Sequence, residues 1–424
     1  MKKIVKIGSN KVNKKLSVPS PVSAKGDAFG VFWLCVSFSL FCVSELLLAI
    51  DILSTVLFKG AGFMILVLLI LYKQRFSKLV MLLPPIILVM LFSFYRSHNA
   101  NAATEEFVRF LFPLIILLSI YQFRGSLDRL LFFFIIIVIS NNIYQLYAYI
   151  AYFTGLPTFQ GFRLEAGYII RAQGWVGFFS FFGFMNFCAF ILVHHTSLIK
   201  KQKRILECSF LIFIVLSTSF KAFVALGVWI ALTSKSKSAV KYILLSLIAC
   251  IIVAVSQPRL VYDFASVLDN KFAFYLTEGN SARSESYRVM LESLTKPNFF
   301  GEGLGTFGGP ASTKYYSPLY SEYNFDWYGL EGRLATTDTL YPHIFVELGL
   351  IGGLAYLIFI FLYGQKNKSL PWFIVVIAFL IDNYASFGML SPPYFFTAAI
   401  CMIYFSGGGN SWRPSNLPKN NRPT

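Results

Sequence analysis

Residues 340–363 read LYPHIFVELGLIGGLAYLIFIFLY, a run in which Glu347 is the one charged side chain. As a helix rising 1.5 Å per residue the run spans about 36 Å, enough to cross the ~30 Å hydrocarbon core of a bilayer. Comparable apolar blocks lie near 29–50, 53–72, 79–95, 105–123, 130–153, 175–193, 205–218, 221–233, 242–256, 371–388 and 392–406. Lys/Arg or Gly/Pro/Asn bound them, and blocks of this kind read as membrane helices. Composition agrees. The 424 residues are 56% hydrophobic and 13% charged, with a mean hydropathy of +0.63, whereas a soluble domain carries about 25% charge. A soluble enzyme, a nucleic-acid-binding domain and a disordered scaffold are excluded. The expected fold class is an all-α polytopic membrane protein with about twelve transmembrane helices.

The net charge of +17 follows from topology. With the N-terminus in the cytoplasm, inward segments carry 24 of the 37 Lys and Arg, from Lys2 and Lys3 to Arg413, Lys419 and Arg422. Every inward loop is positive, as the positive-inside rule requires. The basic excess is orientation signal and contact with anionic lipid, and no nucleic-acid partner is implied. Both termini are expected inside. The chain divides into a basic N-terminal segment at 1–28, helices one to nine at 29–256, an outward loop at 257–338, helices ten to twelve at 339–406 and a tail at 407–424.

The first apolar block lies too far in, and is too long, for a cleaved signal peptide, so it is expected to remain as a membrane helix. Six cysteines (Cys35, Cys42, Cys188, Cys208, Cys250, Cys401) fall in or beside apolar blocks. They have no CxxC spacing, so neither a disulfide nor a metal site is expected. His194 and His195 sit on an inward loop without metal spacing.

The loop 257–338 holds ten of the chain's twenty acidic residues and a cluster of aromatics: Tyr315, Tyr316, Tyr320, Tyr323, Phe325, Trp327 and Tyr328. A loop this long between membrane helices is usually a small functional domain. Residues 281–295 have helical spacing with Tyr287, Leu291 and Leu294 on one side, and Pro297 and Gly301 stop the helix. The aromatics suit sugar rings or, equally, an interfacial belt.

Blocks 205–218 and 221–233 flank Ser217-Thr218-Ser219-Phe220-Lys221 and are too short for both to cross fully. The turn between them is expected below the outer surface, in a protein-lined cavity, carrying Lys221 with it. A cation at that depth marks a functional site unless it snorkels to the interface. Lys59 and Arg109 raise the same question, with Glu105 one turn from Arg109 as a possible partner.

These residues carry a resemblance. The run Arg283-Ser284-Glu285-Ser286-Tyr287-Arg288 precedes Pro297 and then Gly301-Glu302-Gly303-Leu304-Gly305. It resembles the signature of the O-antigen ligase/polymerase family, in which an Arg-led helix precedes a Pro and a GxGxG turn. Asp338-Thr339 followed by Gly349-x-x-Gly352 is similar to the family's next segment, where a polar pair opens a membrane helix. Ser219-Phe220-Lys221 resembles its short-helix Ser-Arg motif, with Lys replacing Arg. The topological likeness covers the chain; the motifs span about 217–352. In the family's ligases the polar pair begins with a catalytic His. Asp338 stands there in this chain, with His343 the nearest imidazole, so the likeness is to the polymerase branch.

The resemblance implies a metal-independent, inverting GT-C-type glycosyltransferase of the bacterial inner membrane. It would join glycan repeats carried on undecaprenyl pyrophosphate at the periplasmic face, without a cofactor, with a chain-length regulator as a possible partner. A ligase transferring to lipid A-core and a lipid-linked glycan flippase are the alternatives. Arg283, Arg288, Lys221 and Arg109 would bind pyrophosphate, the guanidinium groups by bidentate contacts. Asp338 would accept the acceptor sugar's proton or cap the tenth helix. His343 would be a second catalytic group or a buried, satisfied bystander. The GEGLG run does not follow a strand, so a nucleotide loop is not expected. Its glycines would allow a tight turn and close approach of backbone to a bulky substrate.

Overall fold

The structure, a computed structural model, describes residues 21–48, 52–165, 169–196, 198–233, 282–325, 336–365 and 369–406. It is helical apart from one antiparallel pair of two-residue strands, Leu164–Glu165 with Ile169–Ile170. Eleven of the expected apolar blocks coincide with helices, and the block at 242–256 lies outside the described residues.

Helices α1 (Pro21–Leu47) and α2 (Ile52–Lys73) form an antiparallel pair. A short 3₁₀ turn then leads into α3 (Leu83–Arg96), whose Pro84 and Pro85 occupy the first turn, where missing N–H groups cost nothing. Asn99 caps α4 (Ala100–Gln122) by accepting from the N–H groups of Asn101 and Ala102. Helix α5 (Asp128–Thr154) ends at Gly155 in the left-handed conformation. Five stretches are long and apolar enough to cross a bilayer: Asp27–Leu47, Thr55–Lys73, Lys78–Arg96, Asp128–Thr154 and Leu340–Leu362. Their outer faces expose Val56, Leu57, Leu68, Leu88, Ile143 and Ile150. An apolar surface that broad is stable against lipid, and the protein is membrane-embedded.

At the centre stand two short helices, α6 (Phe179–His194) and α14 (Pro392–Ser406), buried on nearly all sides. Helices α7 (Lys200–Leu216) and α8 (Phe220–Thr233) flank them, joined by the turn that holds Thr218 at φ 49°. Ser217 and Ser219 of that turn are buried, as its short flanking helices led us to expect.

The segment 282–325 contributes α9 (Ala282–Thr295) and the single turns α10 (Pro310–Lys314) and α11 (Leu319–Glu322). Helix α12 (Leu340–Leu362) follows, then α13 (Leu370–Tyr384), capped by Ser369. The block that opened the sequence reading as one helix is broken at Gly349, where φ is 70°. The turn after α9 fills the break. Leu350 and Ile351 donate their N–H groups to the carbonyls of Asn298 and Phe299, at 3.0 and 3.1 Å. The N–H of Glu302 and the side-chain amide of Asn298 both reach the Val346 carbonyl, at 2.8 and 3.2 Å. Helix-breaking backbone at such a position is tolerated because neighbouring protein satisfies its polar groups.

Candidate functional site

Glycines of the 301–309 run serve this packing. A Cβ on Gly301 would collide with the Glu347 carbonyl, and one on Gly305 would lie 2.6 Å from the Ala102 carbonyl. The close approach expected toward a substrate is made to the protein's own helices. The aromatic loop is also spent internally: Phe307, Tyr320, Tyr323 and Phe325 form a small core with Val289 and Val346. Tyr316 stays exposed, and Trp327 and Tyr328 lie outside the described residues. On α9 the expected face is corrected. Ser286, Val289 and Ser293 are buried while Leu291 is 60% exposed, because small side chains permit the close packing of α9 on α12.

Two charged groupings emerge. The first lies where the N-terminal ends of α8, α9 and α12 converge with the C-terminal end of α13. Arg283 Nη2 meets Asp338 Oδ2 at 3.2 Å. Lys221 Nζ lies 3.3 Å from Asp382 Oδ1 and donates to the carbonyls of Asp382 and Ala385 at 3.0 and 3.2 Å. Asp382 also accepts from the hydroxyls of Ser180 and Tyr394, both at 2.7 Å. Tyr287 stacks on Tyr384 and donates its hydroxyl to the Tyr384 carbonyl, and burial pushes its phenol pKa up. Arg171, from the loop between α5 and α6, donates to the Thr218 hydroxyl and carbonyl at 2.8 and 3.1 Å. Its guanidinium lies over Phe179. Of the residues singled out in the sequence, Arg283 and Asp338 are paired, while Lys221 is held by Asp382 and Ala385.

Arg288 is placed elsewhere. It bonds Glu285 and Glu292 on its own helix and reaches the carbonyls of Tyr323 and Asn324, bracing α9 to the loop. The bond to Glu285 holds its pKa above the usual guanidinium value. Asp338 is not the cap of α12. That position belongs to Thr339, while Asp338 adopts φ 55° one residue earlier with its carboxylate exposed toward Arg283.

The second grouping is buried between α4 and α12. His343 Nε2 lies 3.0 Å from Glu106 Oε1, and Nδ1 lies 2.5 Å from the Phe307 carbonyl. Glu347 Oε1 accepts the Phe307 N–H at 3.0 Å and lies 3.6 Å from Nδ1. The His343 ring is parallel to that of Phe110 and meets the edge of Phe387. Arg109 pairs with Glu106, not Glu105. On the helix Glu106 turns inward, while Glu105 turns out to Lys314 and Tyr315. Glu106, His343 and Glu347 offer ligand atoms within 4.8 Å of one another, a set able to hold a metal ion in principle. The Arg109 guanidinium bonds one oxygen of Glu106 and the Phe307 peptide bonds His343 Nδ1 and Glu347 Oε1, while Glu106 Oε1, His343 Nε2 and Glu347 Oε2 are buried without a hydrogen-bond partner among the described residues.

Sequence reasoning missed Glu106, Asp382 and Arg171. A charge inside an apolar block was a usable signal for the first two. Arg171 carried none, because its partner Thr218 is distant in sequence. The chain matches no family model, no curated protein and no solved structure.

Proposed function

We propose that this protein is an O-antigen polymerase: a membrane glycosyltransferase that joins oligosaccharide repeats carried on undecaprenyl pyrophosphate. The observation that carries the reading is the pairing of Arg283 with Asp338 just before α12, with Lys221 held on Asp382 of the neighbouring α13. Cationic groups placed at the edge of the bilayer suit a diphosphate whose lipid tail enters from the membrane. Arg171 adds a third cation, bonded to Thr218 of the turn that leads into the helix of Lys221. The N-terminus of α12 contributes partial positive charge.

In the proposed reaction an acceptor sugar hydroxyl attacks the anomeric carbon on the face opposite the phosphate. The new C–O bond forms as the bond to phosphate breaks, and undecaprenyl pyrophosphate leaves with the electron pair. Asp338 takes the hydroxyl proton. Configuration inverts, and no nucleotide is needed because the leaving group already carries two phosphates. The proposed setting is the bacterial inner membrane, with a GT-C-type arrangement of twelve spans, both termini inside and residues 257–338 outside. A chain-length regulator is a proposed partner.

Deleting the gene and running lipopolysaccharide on a gel tests this. Loss of the ladder with a surviving core-plus-one-repeat band supports a polymerase. Loss of all O-antigen from the core points instead to a ligase or a flippase. A reporter fused at Tyr320 should face outward and one at Thr424 should not; the reverse would overturn the topology.

A further inference from the structure

Phe307 is gripped through its backbone by one turn of α12: its carbonyl faces His343 and its N–H faces Glu347. A carbonyl can only accept, so Nδ1 of His343 carries a proton. The opposite ring nitrogen faces the Glu106 carboxylate at 3.0 Å, so the imidazole is wedged between Phe307, which it bonds, and α4, which it abuts. All three side chains are wholly buried. One residue on, the Gly308 N–H donates to the Tyr320 hydroxyl at 3.0 Å, and its carbonyl accepts the Thr337 N–H at 3.1 Å. Thr337 is buried, and the next residue is Asp338, which turns out to Arg283. There is little slack in this chain of contacts. A Cβ on Gly308 would sit 3.1 Å from His343 Cβ, and one on Gly309 would sit 2.9 Å from His343 Cε1.

We propose that His343 is a positioning residue that fixes Phe307–Gly308 against α12 and so sets where Asp338 stands relative to Arg283. What Asp338 does once placed rests on the polymerase reading; the placement itself is measurable without turnover. The two ring nitrogens have separate duties, and two near-isosteres separate them. His343→Asn puts an amide nitrogen close to Nδ1 and keeps the Phe307 contact. His343→Gln puts it close to Nε2 and keeps Glu106 while releasing Phe307.

The full-length protein carrying Asp338→Cys is purified in detergent, and maleimide modification of the peptide containing position 338 is followed by mass spectrometry. Against the His343 background, His343→Gln should change the rate by about fivefold or more, the factor associated with one net hydrogen bond. His343→Asn should leave it nearly unchanged. Equal rates for His343→Gln and the parent overturn the proposal, as does a shift in His343→Asn as large as that in His343→Gln. If His343→Gln is not recovered folded, His343→Asn decides alone: an unchanged rate supports the proposal and an altered one overturns it. With Asp338 intact, His343→Asn should also keep the lipopolysaccharide ladder while His343→Gln shortens it. A normal ladder from Asp338→Asn would sink the role of Asp338 in the reaction and leave the labelling rates standing.

Discussion

Arg283 and Asp338 stand 55 positions apart in the chain and 3.2 Å apart in space. Both side chains keep substantial exposure, and an ion pair of that kind contributes only about 0–1 kcal/mol to stability. Stability therefore does not account for the placement; it fixes a guanidinium and a carboxylate side by side at the N-terminal end of α12. Arg283→Ala should abolish ladder formation while membrane levels stay near normal on an immunoblot. A full ladder from this variant would remove Arg283 from the site.

Lys221 is held far more tightly, by the Asp382 carboxylate and by two carbonyls of α13 and the residues just after it. Breaking a buried pair from one side strands the other charge and costs about 3–5 kcal/mol. Lys221→Ala should therefore lower protein level as well as activity. Adding Asp382→Asn removes the stranded charge and should recover the level without the ladder. Lys221→Arg keeps a cation and should keep substantial activity. Normal polymerisation by the double variant would make Lys221 a structural strut only.

Apolar block length located the helices, since a lipid-facing helix writes its span directly into composition. It did not reveal the break at Gly349, because the residues that fill it, Asn298 to Glu302, belong to a distant loop. The same limit hid Glu106 as the partner of Arg109 and His343. Helical spacing allowed Glu105 and Glu106 equally, and only the packing of α4 on α12 and the loop chose between them. Tyr320 and Tyr323 looked like a sugar platform because composition cannot tell an exposed ring from a small core. Lys221 was singled out as a charge at the edge of a short apolar block, whereas Arg283 and Asp338 were singled out by the resemblance of their motifs.

Gly349 gives a prediction that does not depend on function. Its positive φ and its contact with the Gly301 backbone leave no place for a Cβ. Gly349→Ala should destabilise the protein by about 1–3 kcal/mol, the cost typical of such strain, and lower its melting temperature in detergent. An unchanged melting curve would mean that α12 runs straight through this position.

Elongation by the purified enzyme should proceed in EDTA. The Glu106–His343–Glu347 group has the donor types for a metal and an unpartnered atom on each residue, but it is wholly buried, with Arg109 and the Phe307 peptide holding the other atoms. The substrate's leaving group supplies its own activation, and cationic side chains serve where a metal otherwise would. Dependence on added magnesium or manganese would overturn this, and loss of that dependence in Glu347→Gln would trace the ion to the buried group.

Asp338 carries the sharpest test of chemistry. It is exposed one residue ahead of Thr339, the N-cap position of α12. As Thr339 takes the capping position, Asp338→Asn should leave α12 in place and change little in stability. It removes the negative charge while keeping side-chain size and a hydrogen-bonding oxygen toward Arg283. If the carboxylate accepts the acceptor sugar's proton, turnover should fall by about 10²-fold or more, the usual scale for losing a general base. Measured with lipid-linked repeats, the loss should lie in kcat with KM little changed, because diphosphate binding is left to Arg283, Lys221 and Arg171. Near wild-type turnover by Asp338→Asn would reject the carboxylate as base and leave Asp338 as a charge partner of Arg283.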